Sequence, residues 1–241
     1  VALVLDGQRF AADTMGIALG ITLCGEQGLL GCVQTGTEHA DVCATVLRSL
    51  LERGLRIDEG LLVVLDGGKG LRRAVQDVFG DQAQVQRCMW HKRENVVDHL
   101  PKRLQPAWRA KLQQVYRRPT YETAHAELPR LHGELRRLNE DAPKSLAEGL
   151  ETLTLHRLGL ADRLGTSLST TNGLESILAL VEQRVGKVDR WTTSDQKHRW
   201  LATSLLEIEP RLRRLRGYRA LLQLRVALKQ GITQDKEVMV A

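Results

Sequence analysis

An α/β fold built on a mixed five-stranded sheet is what this sequence of 241 residues predicts, and three observations predict it. Apolar runs separated by glycine-rich turns crowd the first 35 residues, then alternate with helix-period stretches as far as Cys88, after which only the helical period continues. Strands joined by tight turns pair antiparallel, whereas strands separated by a helix pair in parallel. One mixed sheet with helices on its faces satisfies both halves of the pattern.

Leu3 to Leu5, Met15 to Cys24 and Leu29 to Thr35 read as three strands, divided by the turn-forming stretch Gly7 to Asp13 and by Gly25-Glu26-Gln27-Gly28. Between Glu38 and Arg53, the apolar residues Val42, Val46, Leu47, Leu50 and Leu51 recur with helical spacing until Gly54 ends the pattern. Five successive apolar residues, Leu61 to Leu65, read as a strand buried on both faces. A helix over Leu71 to Phe79 and a fifth strand over Ala83 to Cys88 complete the order βββαβαβ. Beyond Cys88 the chain reads as helices broken at Pro101, Pro106, Pro119, Pro129 and Pro143. The expected organisation is a first core segment over 1–100, an all-helical insertion over 101–165, and returning core helices with a basic tail over 166–241. In that last segment, the helix starting near Asn172 buries Leu174, Ile177, Leu178, Val181 and Val185, which puts Glu175 on the border of its apolar stripe.

Composition narrows the class. An apolar content of 42% supports a packed core, and no stretch approaches the roughly 18 consecutive apolar residues of a membrane span. The reading is a soluble, cytoplasmic protein without a membrane partner. Cys24, Cys32, Cys43 and Cys88 show no C-x-x-C spacing, so they are expected as reduced thiols. The chain opens inside a strand at Val1 without a methionine, which reads as a segment of a longer protein with a further module upstream. The net charge of +6 is unevenly spread: residues 1–86 carry −4, 87–120 carry +7, 121–175 carry −3 and 176–241 carry +6. Two basic segments therefore flank an acidic region, as phosphate-backbone binding requires. Solvated helix faces would give the same composition, and for Arg211, Arg213, Arg214 and Arg216 the two readings weigh equally.

Within the acidic region three residues stand out. Asp6 closes the first apolar run, Asp66 closes Leu61 to Leu65, and Glu175 opens the helix after Thr170-Thr171-Asn172. Carboxylates that converge from strand ends and a helix repel one another unless cations lie between their oxygens, which points to hard divalent ions. Each also has an ordinary explanation: a strand-end turn at Asp6, a helix cap at Asp66, and a capping box over Asn172-x-x-Glu175. Cys88 and His91 have the spacing of half a zinc site, but no second pair follows, so a structural zinc is not expected. Trp90, Trp191 and Trp200 are expected mostly in the core; Trp191, beside Arg190 in a basic stretch, is the candidate for stacking on DNA.

The local motifs are more specific. Asp66-Gly67-Gly68-Lys69-Gly70-Leu71, Gln86-Arg87-Cys88-Met89-Trp90-His91-Lys92-Arg93-Glu94-Asn95 and Thr170-Thr171-Asn172-x-x-Glu175-Ser176 resemble the Mutator-type bacterial insertion-sequence transposases. Arg190-Trp191, Arg199-Trp200 and the run Arg211 to Tyr218 are similar to that family as well, and Lys69 departs from the histidine expected in many members. The resemblance implies a ribonuclease H-like fold and a catalytic triad of Asp6, Asp66 and Glu175 holding two Mg²⁺ or Mn²⁺ ions for cleavage and strand transfer. It also implies duplex DNA as partner, at the terminal inverted repeats and the target, and a homodimer or larger assembly on that DNA. Cys88 and His91 become the family's C-x-x-H signature, read equally as a pair that positions DNA or as a buried cysteine ending the fifth strand with a histidine in the first turn of the next helix. The basic charge, for its part, makes Lys92, Arg93, Lys102, Arg103, Arg190 and Trp191 the candidate DNA contacts.

Overall fold

The computed structural model describes residues 1–10, 13–35, 40–186, 188 and 194–240. Strands β1 (Ala2–Phe10), β2 (Asp13–Ile21) and β3 (Gln27–Thr35) form an antiparallel meander, and β4 (Leu61–Leu65) and β5 (Ala83–Arg87) add in parallel beside β1. The sheet order is β3-β2-β1-β4-β5. Helix α1 (Ala40–Glu52) carries the chain from the meander to β4, and α2 (Lys69–Phe79) carries it from β4 to β5. The mixed sheet and its elements thus follow the sequence pattern.

Strand alternation divides the core between two faces. On β1 and β4, Leu3, Leu5, Leu61, Val63 and Leu65 face α1 and α2, while Ala2, Val4, Leu62 and Val64 face the later helices. Those later helices are α8 (Ala161–Leu168), α9 (Asn172–Val185), α10 (Ser194–Ile208) and α11 (Leu221–Val240). Between β5 and α8, the helices α3 (Met89–Val97), α4 (Gln105–Tyr116), α5 (Tyr121–Arg136) and α6 (Asp141–Ala147) enclose an apolar cluster of their own around Leu112, Leu131 and Leu135. A short helix, α7 (Thr154–Arg157), leads back to the sheet, where the Thr154 hydroxyl donates to the Val85 carbonyl of β5.

Several details differ from the sequence reading. β1 continues past Leu5 to Phe10, because ladder pairing with β2 down to Phe10↔Asp13 carries the polar residues along. β2 ends at Ile21, where a turn closed by Gly25 N donating to Thr22 O replaces the expected strand. Of the five prolines expected to break helices, Pro106 and Pro143 lie in first turns, where the missing amide is tolerated, and Pro129 lies inside α5. Trp90 and Trp200 are 42% and 44% exposed, so neither belongs to the core; Trp108 does. No described helix is long and apolar enough to cross a membrane.

Candidate active site

The parallel register of β1 and β4 pairs Leu5 with Leu65, so Asp6 and Asp66 leave the same end of neighbouring strands. By strand alternation Asp6 continues the even-numbered face of β1, over which α9 packs. Glu175 lies in the first turn of α9. A third strand end joins them, since the Cys88 amide donates to the Leu65 carbonyl at 2.7 Å and Met89 N donates to Ser169 O at 2.9 Å, tying the start of α3 to the segment before α9. Asp6, Asp66, Glu175, Cys88, His91 and Thr171 are brought together at this junction.

Local bonding sets each carboxylate. Asp66 Oδ1 accepts from the Gly68 amide at 3.0 Å, an Asx-type turn, and the helix-capping hydrogen bond of the alternative reading is not formed. Gly67 between them has φ +105°, and a Cβ there would lie 2.2 Å from Arg87 Nε, so both the turn and the neighbouring guanidinium require glycine. Glu175 does not reach back to Asn172 as a capping box would; its Oε1 accepts from the Thr171 hydroxyl at 2.9 Å. The same hydroxyl lies 3.5 Å from His91 Nδ1 and 3.7 Å from Cys88 Sγ, and His91 Nε2 lies 4.0 Å from Glu175 Oε1.

The electrostatics follow from this crowding. Asp6 is 6% exposed, and burial first, then repulsion from Asp66 and Glu175, pushes its carboxyl up to about 7 against the attraction of His91. Contact with the Cys88 sulfur, reinforced by the charges of Asp6 and Asp66, raises His91 to about 9 despite its partial burial. Burial alone would raise the Cys88 thiol, but hydrogen bonding with His91 outweighs it and leaves the thiol lowered. As placed, no three His, Cys, Asp or Glu side chains among the described residues are grouped to hold a metal ion. The donor set nonetheless fits hard divalent cations: Asp66 and Glu175 each use one oxygen internally, and a carboxylate retains another. The raised Asp6 marks a buried carboxyl crowded by two others.

Comparison with known proteins gives this cluster a context. The profile described as "Transposase, Mutator family" matches residues 3–209, a span that includes all three carboxylates and the Cys88–His91 pair. The chain belongs to the Mutator family of transposases. It is 27% identical over 168 residues to the transposase for insertion sequence element IS6120 of Mycolicibacterium smegmatis, covering 70% of this chain and 51% of that one. With the transposase for IST2 of Acidithiobacillus ferrooxidans it shares 29% over 171 residues, 70% of this chain and 56% of the relative. With that for ISRM5 of Rhizobium meliloti it shares 31% over 169 residues, 70% and 41% respectively. The chain thus spans about half the length of the curated relatives it matches.

In this Mutator-family chain the other expected DNA contacts are placed unevenly. Cys88 and Lys92 are fully buried; for Cys88 this matches the reading of a buried cysteine at the end of the fifth strand, while the Lys92 side chain is not placed to meet DNA as expected. Lys92 runs inward beneath Gly149, with Nζ 3.5 Å from Ser145 Oγ, because α3 packs that side against α6. The Arg93 side chain, 17% exposed, is held by Glu94 and by Gln113 Oε1. Lys102 and Arg103 are exposed. Arg190 and Trp191 lie outside the described residues. Thr171 is the central residue that sequence reading placed in the motif without giving it a role; the available signal was a hydroxyl four residues ahead of Glu175, one helical turn away.

Burial of Lys92 has a thermodynamic consequence. Burial, aided by Arg87, lowers its ammonium from 10.5 to about 8. The unfolded chain therefore binds more protons between those values, and the cost of the buried charge is fully present below pH 8 and fades as pH rises toward 10.5. Lys92→Met should raise stability at pH 7 by about 1–3 kcal/mol, with the advantage closing near pH 10.5. Chemical denaturation at the two pH values measures it, and a destabilised variant at pH 7 would contradict it.

Proposed function

We propose that this chain carries the catalytic centre of a ribonuclease H-like DNA transposase that cuts strands at the ends of an insertion sequence and joins the freed 3′-hydroxyl to target DNA. The observation that carries this reading is the gathering of Asp6, Asp66 and Glu175 at one end of the central strands, with Asp6 raised by burial and by its two acidic neighbours. Asp6, central in that cluster, would be shared between two ions, with Asp66 and Glu175 each holding one. Bound there, Mg²⁺ or Mn²⁺ would supply Lewis acidity for the attacking and leaving oxygens of a phosphodiester.

The chain's own residues do the rest by position. The turn through Gly67 fixes Asp66, and Thr171 holds one oxygen of Glu175. His91, 4.0 Å from Glu175, tempers the charge of the cluster. Duplex DNA at the terminal inverted repeats and the target is the partner that this reading implies, on a homodimer or larger assembly in the bacterial cytoplasm. The test is a joining assay with the protein, element ends bearing a free 3′-hydroxyl, plasmid target and Mg²⁺ or Mn²⁺. Joined products are expected; hydrolysis without joining would reduce the reading to a nuclease, and inertness in both metals would overturn it.

Thr171→Val should lower kcat in that assay by about 10–100-fold, the usual effect of removing a group that orients a ligand. Thr171→Ser keeps the donor and should retain most activity. Activity kept in Thr171→Val but lost in Thr171→Ser would show that the methyl group, not the hydroxyl, is what matters.

A further inference from the structure

The basic run 87–120 is largely committed to internal pairing. Arg93 and Arg109 share Glu94 at 2.8 and 2.7 Å, Lys111 meets Glu134 and Arg118 meets Glu127, both at 2.5 Å, and Lys92 is buried. The segment between α10 and α11 is the opposite case. Arg213, Arg214, Arg216 and Arg219 are all exposed, and none has a carboxylate partner among the described residues.

This segment is not a solvated helix face. Between short 3₁₀ turns at Glu209–Arg211 and Tyr218–Ala220 its backbone is irregular and fastened at several points. Glu209 Oε1 accepts from Leu29 N at 2.7 Å, and Gln27 Nε2 donates to the Arg213 carbonyl at 2.6 Å. Leu215, buried, donates its amide to Gly25 O at 2.8 Å, and Ser167 Oγ donates to the Arg216 carbonyl at 2.9 Å. Gly217, at φ +82°, lets the chain cross Arg163, whose carbonyl oxygen would lie 2.4 Å from any Cβ there. The apolar and main-chain groups are thus drawn inward and the guanidiniums left outward. The Arg214 and Arg219 guanidiniums sit 5.5 and 6.0 Å from the Tyr218 ring, stiffening the array further. Holding four unpaired cations in so short a fixed stretch costs self-repulsion that a polyanion relieves.

We propose that the segment 213–219 is a fixed surface that grips the phosphate backbone of duplex DNA, in preference to the run 87–120. The choice of DNA as the polyanion rests on the transposase reading above. Guanidinium forks suit phosphate, and backbone contacts of this kind carry no sequence information.

Binding of a fluorescent duplex of unrelated sequence, measured by anisotropy over a salt series in EDTA, tests it. Each neutralised phosphate contributes about −0.9 to the slope of log affinity against log salt. Replacing all four arginines with Gln should therefore flatten the slope by about 3 to 4, whereas replacing them with Lys should preserve it to within about one. The charge control R109Q/K111Q/R118Q should shift the slope by less than about one. An unchanged slope in the four-Gln variant with its melting curve intact, an equal flattening in the control, or a preference for acidic vesicles or RNA over duplex DNA would overturn the proposal. Because EDTA removes catalysis from the measurement, such a result leaves the carboxylate centre standing. Conversely, a centre inactive in the joining assay leaves the salt slope untouched.

Discussion

Asp6→Asn, Asp66→Asn and Glu175→Gln should each reduce strand cleavage by at least about a thousandfold, equivalent to about 4 kcal/mol of lost transition-state stabilisation. Each replacement keeps the shape of the side chain and removes the charge. Asp6 and Asp66 are held by paired strand ends and Glu175 by α9, so neutralising any of them should leave the chain folded. The loss should appear in kcat with DNA affinity nearly unchanged, because the proposed grip on the backbone uses cations elsewhere. Single-turnover cleavage of a labelled element end measures it. Cleavage within about tenfold of the parent by any one variant would remove that residue from the centre.

The second large effect is one of stability and has the opposite sign. Burial and the neighbouring carboxylates raise Asp6 from 3.8 to about 7 in the fold. Between those values the folded state binds more protons than the unfolded one, so stability falls as pH rises through the window, and the full cost is present above pH 7. Asp6→Asn removes it. In EDTA at pH 8 the variant should be more stable than the parent by up to about 4 kcal/mol, with the difference vanishing near pH 4. Denaturant melts at both values check the sign, and a variant less stable than the parent at pH 8 would refute this account of the cluster.

Much of this was legible in the sequence because periodicity reports burial. The five apolar residues of β4 and the stripe of Leu174, Ile177, Leu178, Val181 and Val185 on α9 are buried as their spacing requires. The motifs around Asp6, Asp66 and Glu175 identified the candidates. Periodicity could not report where a charged side chain ends up when two distant helices close over it. Lys92 reads as a surface cation until α6 packs on α3. Ion pairing hides in the same way: Arg118 and Glu127 lie on either side of a helix start, and Lys111 and Glu134 are 23 residues apart. Counting charges along residues 87–120 therefore overstated the cations free to meet DNA. For the arginines after Pro210 the sequence left a DNA contact and a solvated helix face equally open, because an irregular backbone pinned by Gly25, Gln27 and Ser167 leaves no periodic trace. Thr171 was legible as part of a motif but not in its role, since its contacts with His91 and Cys88 lie about 80 positions earlier.

The central claim is that the three carboxylates form one divalent-cation centre, and calorimetric titration of Mn²⁺ into the chain at pH 8 tests it most directly. Saturable binding is predicted for the parent and for Lys92→Met, with loss of most of that binding in Asp6→Asn and marked weakening in Glu175→Gln. Binding that is absent from the parent, or equally strong in Asp6→Asn, would contradict it.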